Sequence, residues 1–546
     1  MADKKAMTVL ILMTSDVHGF VLPRDYGTGE PVAKGLAKAA TLIRRLRRDY
    51  PWHLTLDNGD LIQGSPLTFY HARYGGDTPH PMVACLESLS YDAAVVGNHE
   101  FNYGPGVLTK VVGEAKFPWL AANICRKGTT EPAFGAPYLL RTFPGGCRVA
   151  VLGLTTKYIP FWEHPQNIAA WDFIDPVEAA RVWVPFLRGE KGADVVIVAY
   201  HGGLERDPES GEALERLTGE NQAYQICTEV EGIDVLLGGH QHRGVVAEVA
   251  GVRVIQPEND ARQLAKVLLT LERDRGHWRL AGKEADLLKV GDVPVDAEIE
   301  RIVRPYEEKT QAWLEQPLGR VRGDMRINDP MAARLADNPY IEFVNRVQMH
   351  YSGAPISCAS IFADTCPGFS AQVTMRQILA NYMYPNTLRV LRVRGETIRQ
   401  ALEVTATFFA RGSDGTPGVN PAFCRPKVQH YNYDMWEGIE YILDISRPVG
   451  SRVVLLNRGG EPLDPARLYD VVMNNYRAAG GSLYGMFSGA EVVRDIQTEV
   501  SELLTNYFLE HEWVEAACDH NWRVIGCSGE EQGRSEARAY KTDVMA

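Results

Sequence analysis

The sequence predicts two domains in series, a layered α/β domain followed by an α+β substrate-binding domain. Three observations carry this. At 546 residues the chain exceeds what one hydrophobic core normally covers. Its first half alternates short apolar runs with stretches of helical spacing, which is the pattern of strands and helices stacked in layers. Beyond about residue 331 that alternation gives way to strands and helices mixed without a repeat.

Taken in order, the apolar run 8–15 is the first expected strand. Further strands are expected over 52–57, 92–96, 117–122, 148–154, 194–200, 233–237 and 252–256, with helical spacing over 33–48 and 81–89. The stretch 266–272, followed by Trp278-Arg279-Leu280, reads as a closing hairpin, so the first domain covers 7–294. A charged helix over 295–309, with a Pro- and Gly-containing connection to Asp329, marks a linker over 295–330. The second domain, 331–527, opens with a helix over 338–351. It continues with strands over 387–393, 439–445, 452–456 and 469–473 and a helix over 395–408. The tail 528–546 is polar, rich in Gly and Glu, and expected to be disordered.

Composition narrows the function classes. A net charge of -12 argues against holding long nucleic acid on a basic surface. It leaves room for a small anionic substrate, because bound metal ions reverse the local field. Nine cysteines form an odd count with no C-x-x-C pair, which favours a reducing compartment. No run of 18 apolar residues exists, so no membrane-spanning helix is expected. Residues 1–13 imitate a signal peptide, but the apolar stretch is short and lacks a small-residue cleavage site. Cleavage there would also remove the strand leading into Asp16 and His18. The expectation is a cytoplasmic protein with no membrane partner.

Five short pieces carry the chemistry. They are Asp16-Val17-His18-Gly19, Gly59-Asp60, Gly97-Asn98-His99-Glu100, His201-Gly202 and Gly239-His240-Gln241-His242, each just behind an apolar run. Singly, each has an ordinary explanation: Asp16 as a helix cap, His201 as a core histidine, Asn98 as a turn residue. Five in succession, all at strand ends, point to a metal centre. Carboxylate, amide oxygen and imidazole together suit borderline divalent ions such as Mn, Zn, Co or Fe. A two-metal centre shares one ligand between ions about 3.5–4 Å apart. Asp60, alone on its Gly-Asp turn, is the candidate bridge. Asp16, His18 and one of His240 and His242 would complete one ion, and Asn98, His201 and the other histidine the second. His99 follows a ligand and is expected to face the substrate phosphate as proton donor or charge stabiliser. Glu100 is expected to buttress a histidine or cap a helix. The reaction these parts imply is in-line displacement by a hydroxide generated at neutral pH by the metals.

In this order the motifs resemble the calcineurin-like metallophosphoesterase fold, and the second domain narrows the likeness to the 5'-nucleotidase superfamily, over about residues 7–527. In that superfamily two aromatic rings of the C-terminal domain sandwich the nucleobase. The matching segments are 381–387 and 474–481, so the resemblance assigns the sandwich to Tyr384 and Tyr476, with Asn386, Arg477, Tyr433 and Asp434 as further pocket residues. Such stacking needs no base-specific hydrogen bond. Because base and phosphate would then be held by different domains, hinge rotation about residues 295–330 is expected to gate binding.

Within the superfamily, residues 57–64, 97–102, 384–387, 431–434 and 521–523 resemble the 2',3'-cyclic-nucleotide 2'-phosphodiesterase/3'-nucleotidase branch. The 5'-nucleotidase/UDP-sugar hydrolase branch usually has Asp where this chain has Asn102, and tends to have Asp at Ser482. It also carries phosphate-holding arginines that Ile361-Phe362-Ala363-Asp364 lacks. Asn102 can orient His99 but brings no charge of its own. The expected function is therefore hydrolysis of 2',3'-cyclic and 3'-nucleotides with two divalent ions. The rivals are a 5'-nucleotidase or UDP-sugar hydrolase, a sulfur-compound hydrolase of the same architecture, and a nucleotide-binding sensor with a relic site. The last would have lost ligands, and every ligand position here is filled.

Overall fold

The computed structural model describes residues 6–527 apart from 216, 275, 385, 426, 427, 482 and 497. The expected disordered tail and the Ser482 comparison lie outside the described residues. The chain divides into two compact units, Met1–Trp313 and Leu314–Ala546.

The first unit is built on two six-stranded sheets. In one, the strands Ala6–Thr14, His53–Asp57, Ala93–Val95 and Trp119–Leu120 run parallel in that order. The long hairpin Gln263–Asp274 and His277–Lys289 closes its other edge, antiparallel to Ala6–Thr14. In the second sheet, Cys147–Thr155, Val195–His201, Val235–Leu237 and Val252–Gln256 run parallel. Its edges are the antiparallel strands Tyr138–Phe143 and Val245–Val249.

The sheets pack face to face, which explains the continuous apolar runs. Met7, Val9, Ile11 and Met13 point into a core shared with Val149, Val151, Val195, Ile197 and Leu237 of the other sheet. On the next pleat, Ala150, Leu152, Leu154, Val196 and Val198 point outward and pack under the helices Pro176–Gly189 and Ala223–Glu229. A strand covered on both faces has no polar side to alternate with. The two edge strands escaped the sequence reading because much of each is half exposed and breaks the apolar run.

The charged segment at 295–309 is a helix, Ala297–Leu314, but not a free connector. It docks on the first unit: Trp313 stacks on Phe69 with ring centroids 5.7 Å apart, and the Tyr26 hydroxyl donates to Glu307. The remainder of the expected linker contributes the strand Pro317–Arg322, which pairs within the second unit with Gln372–Thr374 and Trp513–Glu515.

The second unit has a five-stranded sheet in the order Asp434–Glu437, Ile356–Ser360, Leu468–Asn474, Leu388–Arg394, Glu491–Ile496. The helix Pro339–Ser352 packs on it, and local chemistry fixes both helix ends. The Asn338 side chain accepts from the Ile341 N–H at 3.1 Å, Pro339 occupies the first turn, and Gly353 ends the helix in the left-handed region at φ 68°.

Beside that helix, Asp337, Glu342, Glu437 and Asp519 bring carboxylate oxygens within 4.8 Å of one another. Burial, and then the charges of Asp519, Glu342 and Asp337, push Glu437 up to about 7. The sign follows: from its ordinary 4.5 up to about 7 the folded chain holds a proton that the unfolded chain has released, so stability falls as pH rises through that window. Glu437→Gln keeps the acceptor for Asn521 and is expected to stabilise the second unit by about 1–3 kcal/mol at pH 8. Its stability should also depend less on pH between 5 and 8 than the parent's, roughly where the shifted group titrates. Denaturant melts at a series of pH values measure this, and parallel pH curves for variant and parent would refute it.

Candidate active site

Each of the five motifs sits where a parallel strand of the first unit ends. Asp16 and His18 follow Ala6–Thr14, Asp60 follows His53–Asp57, and Asn98 and His99 follow Ala93–Val95. His201 closes Val195–His201, and His240 and His242 follow Val235–Leu237. Parallel strands end on the same side of a sheet, so residues far apart in sequence converge there. Asp16, His18, Asp60, His240 and His242 all hold positive φ, between 51° and 69°. Few non-glycine residues adopt this conformation, and a cluster of them marks backbone bent to aim side chains inward. Two glycines make room for the approach. A Cβ on Gly97 would lie 2.4 Å from Asp60 Oδ1, and one on Gly239 would lie 2.3 Å from Ser15 Oγ.

The side chains form two groups. Donor atoms of Asp16, His18 and His242 lie within 4.8 Å of one another, as do those of Asp60, His201 and His240. Asn98 joins the second group, its Oδ1 3.1 Å from His201 Nε2. The two C-terminal histidines, left open by the sequence, separate by position: His242 lies with Asp16 and His240 with Asp60.

Counting hydrogens tests whether these groups fit metal ions. His18 Nδ1 is 2.8 Å from the Gln63 carbonyl, and His201 Nδ1 is 2.7 Å from the Asn58 carbonyl. A carbonyl can only accept, so both Nδ1 atoms carry hydrogen, and in its neutral form each ring turns a bare Nε2 inward. His18 Nε2 then faces His242 Nε2 at 3.0 Å, and His242 Nε2 is 3.3 Å from Asp16 Oδ1. His201 Nε2 faces Asn98 Oδ1 and Asp60 Oδ2, both at 3.1 Å. Carboxylate, amide and imidazole donor atoms converge here, and positive charge, carried by protons on the rings or by a bound cation, satisfies them. The electrostatics agree. Burial by itself raises Asp60, yet His201 holds it well below the usual carboxylate range. Burial works against a charged His201, yet Asp60 pushes it up to about 10. Both residues demand positive charge between them. The carbonyl bonds on the far side of each ring fix its orientation, as is usual around metal ligands.

His99 lies beside this centre, its ring centroid 5.3 Å from that of His18. Its Nδ1 is 2.6 Å from Asn102 Oδ1, so the expected pairing of these residues is present. Glu100 neither buttresses a histidine nor caps a helix. It is fully buried and accepts N–H bonds from Gly97, Asp60, Leu61 and Ile62 at 2.6, 2.9, 2.6 and 3.3 Å, tying two ligand loops together.

In the second unit, the antiparallel pairing of Leu388 with Asn474 brings the 384–387 and 474–476 segments to one end of adjacent strands. Asn475 joins them, its N–H donating to the Thr387 carbonyl at 2.9 Å and its Oδ1 accepting from the Thr387 N–H at 3.1 Å. Tyr384 and Tyr476 are each half-buried. Tyr384 packs edge-on to Phe362 at 5.3 Å, and Tyr476 edge-on to Tyr431 at 6.0 Å. Asn386 is half-buried nearby, its carbonyl accepting from the Val500 N–H at 2.8 Å.

The other three expected pocket residues are interior. Tyr433 is fully buried and donates to the Arg334 carbonyl at 2.6 Å. Asp434 and Arg477 are each 1% exposed and pair at 2.6 Å. A side chain fully engaged inside the core has no face left for a ligand, so these three support the fold beneath Tyr476 rather than line a pocket.

Comparison with known proteins agrees with this geometry. The calcineurin-like phosphoesterase family matches residues 9–244, and the 5'-nucleotidase C-terminal domain family matches residues 318–489. A solved structure from Staphylococcus aureus, described as a 5'-nucleotidase in complex with alpha-ketoglutarate, is 33% identical with a TM-score of 0.87. The alignment covers 95% of this chain and 99% of that one. The chain belongs to the 5'-nucleotidase superfamily. As a member it is a metal-dependent phosphoric ester hydrolase. A 2',3'-cyclic-nucleotide 2'-phosphodiesterase/3'-nucleotidase of Haemophilus influenzae is 28% identical over 97% of this chain and 89% of its own length. The trifunctional nucleotide phosphoesterase YfkN of Bacillus subtilis is 27% identical over 95% of this chain, which spans 39% of that longer protein. Among the described residues, no helix is long and apolar enough to cross a membrane.

Two acidic residues beside these side chains escaped the sequence reading. Glu220, whose Oε1 lies 3.0 Å from His240 Nε2, and Glu163, 2.6 Å from Asn102 Nδ2, sit in loops with no local signature.

Proposed function

We propose that this chain is a two-metal phosphohydrolase of small nucleotides, opening 2',3'-cyclic nucleotides to 3'-nucleotides and hydrolysing these to nucleoside and phosphate. The observation that carries the proposal is the pair of converging donor sets with His99 alongside. Asp16, His18 and His242 would hold one divalent ion, and Asn98, His201 and His240 the other, with Asp60 shared. Mn, Zn, Co or Fe suits this mixture of oxygen and imidazole donors. Divalent ions held there would polarise the phosphoryl oxygens and supply a nucleophile at neutral pH. His99, its Nδ1–H held by Asn102, presents Nε2 to the phosphoryl group; with both ring nitrogens protonated it gives the Nε2 proton to the leaving oxygen and is left as the neutral ring. Tyr384 and Tyr476 grip the nucleobase, with Asn386 at the rim. A cytoplasmic location fits the odd cysteine count without C-x-x-C pairs.

Each base–aromatic stack is worth about 1–3 kcal/mol. Tyr476→Ala is therefore expected to raise KM about tenfold, since 1.4 kcal/mol is a factor of ten, with kcat little changed. Steady-state kinetics on 3'-AMP measures this, and an unchanged KM removes Tyr476 from the base site.

The substrate assignment is tested by incubating the protein with Mn²⁺ and 2',3'-cyclic AMP, 3'-AMP, 5'-AMP or a nucleotide sugar. Phosphate and chromatographic products are then followed. Turnover of the first two above the others supports the proposal. The Staphylococcus aureus relative described as a 5'-nucleotidase gives the alternative its weight. Preference for 5'-AMP would favour that reading and leave the metal assignment untouched.

A further inference from the structure

Asn102 poses a chemical puzzle that the surrounding residues answer. A carboxamide has nearly the same shape either way round, so on its own it could offer His99 an oxygen or an N–H. Its far end meets Glu163: Asn102 Nδ2 lies 2.6 Å from Glu163 Oε2. An ionised carboxylate only accepts, so the amide must turn its N–H to Glu163 and its oxygen to His99. Glu163 is itself held, its Oε1 accepting from Asn167 Nδ2 at 2.8 Å and from the His164 N–H at 2.7 Å. The oxygen that Asn102 presents 2.6 Å from His99 Nδ1 then fixes the hydrogen on Nδ1 and leaves Nε2 as the atom that meets the substrate. The neighbouring Trp162 stacks on His240 at 5.3 Å and 26°, so one short segment reaches both a metal donor and the His99 chain.

We propose that Glu163 is a positioning residue for the hydrolysis, acting through Asn102 to set the orientation of His99 and hold hydrogen on its Nδ1, so that Nε2 is the atom that takes up a proton and passes it to the leaving oxygen. The inference rests on the assignment of His99 under the proposed function. It also explains why a neutral residue can stand at position 102. The negative charge lies one residue further out, and a carboxylate at position 102 would meet that of Glu163 head on.

The test is a two-residue cycle on the full chain loaded with Mn²⁺, using 3'-AMP and reading kcat, KM, bound metal and melting temperature. Asn102→Asp alone is expected to lower kcat about 10–100-fold, the usual scale for disturbing a histidine's supporting partner. Glu163→Gln alone frees the amide to turn and is expected to lower kcat several-fold with KM unchanged. When the two changes are combined, the new amide at position 163 can donate to the new carboxylate at position 102, whose oxygens accept from His99. In that double variant kcat should return to within about threefold of the parent. A second change that repairs the first is not expected of residues that merely stabilise the fold. A double variant as slow as or slower than Asn102→Asp, with metal content and melting intact, overturns the proposal. If Asn102→Asp does not fold, Glu163→Gln alone decides: parental kcat overturns the proposal, and a drop in kcat at constant KM and metal content supports it. An unmodified chain that hydrolyses no phosphoester would instead overturn the proposed function, so the two failures are distinct.

Discussion

Replacing His99 with alanine is expected to lower kcat about 10²–10⁴-fold, the range for losing a positioned general acid, while the metal ions stay bound. The geometry separates these two outcomes. Neither donor group includes His99, and the inward Nε2 atoms belong to His18 and His201. Its backbone N–H does donate to Asp60 Oδ1 at 2.8 Å, but alanine keeps that N–H. The variant should therefore retain the carboxylate's orientation and lose only the imidazole. Elemental analysis of the purified variant, alongside kinetics on 3'-AMP, gives both readings. Loss of metal together with activity would make His99 a ligand and contradict its role as proton donor.

The second large effect is on stability. Asp434→Ala is expected to destabilise the second unit by about 3–5 kcal/mol, because it leaves a buried charge without its partner. Arg477 is 1% exposed, and its Nε lies 2.6 Å from Asp434 Oδ2. Its other neighbours are the Tyr431 and Gly481 carbonyls, at 2.9 and 3.3 Å, the Asn432 side chain, and the Tyr484 ring, whose centroid lies 3.7 Å away. None of these carries a countercharge, and the Ser360 hydroxyl, which donates to Asp434 at 2.7 Å, would be left with only the Tyr431 carbonyl at 3.0 Å. Denaturant unfolding measures the loss. If the variant instead unfolds like the parent and only binds nucleotide more weakly, Asp434 is a pocket residue after all, as the sequence suggested.

This pair shows where sequence reasoning reaches its limit. Tyr476 and Arg477 are neighbours in one motif, and nothing local says which of them faces outward. The short helix Asn475–Ala478 turns successive side chains by about 100°, so Tyr476 stays half-exposed while Arg477 points into the core.

By itself the sequence determined the layered α/β class, and it pointed to the seven candidate side chains that the strand ends bring near one another. The reason is physical. A strand buried on both faces must be continuously apolar, and a ligand loop must follow it at once, so pattern and motif lie side by side in the chain. Only the tertiary structure decided which histidine joins which carboxylate. It alone showed that the helix Ala297–Leu314 docks instead of linking, and that Glu163 stands behind Asn102. These contacts join residues 61 to 281 positions apart, through side chains whose local surroundings carry no signature. Only the fold brings such residues together.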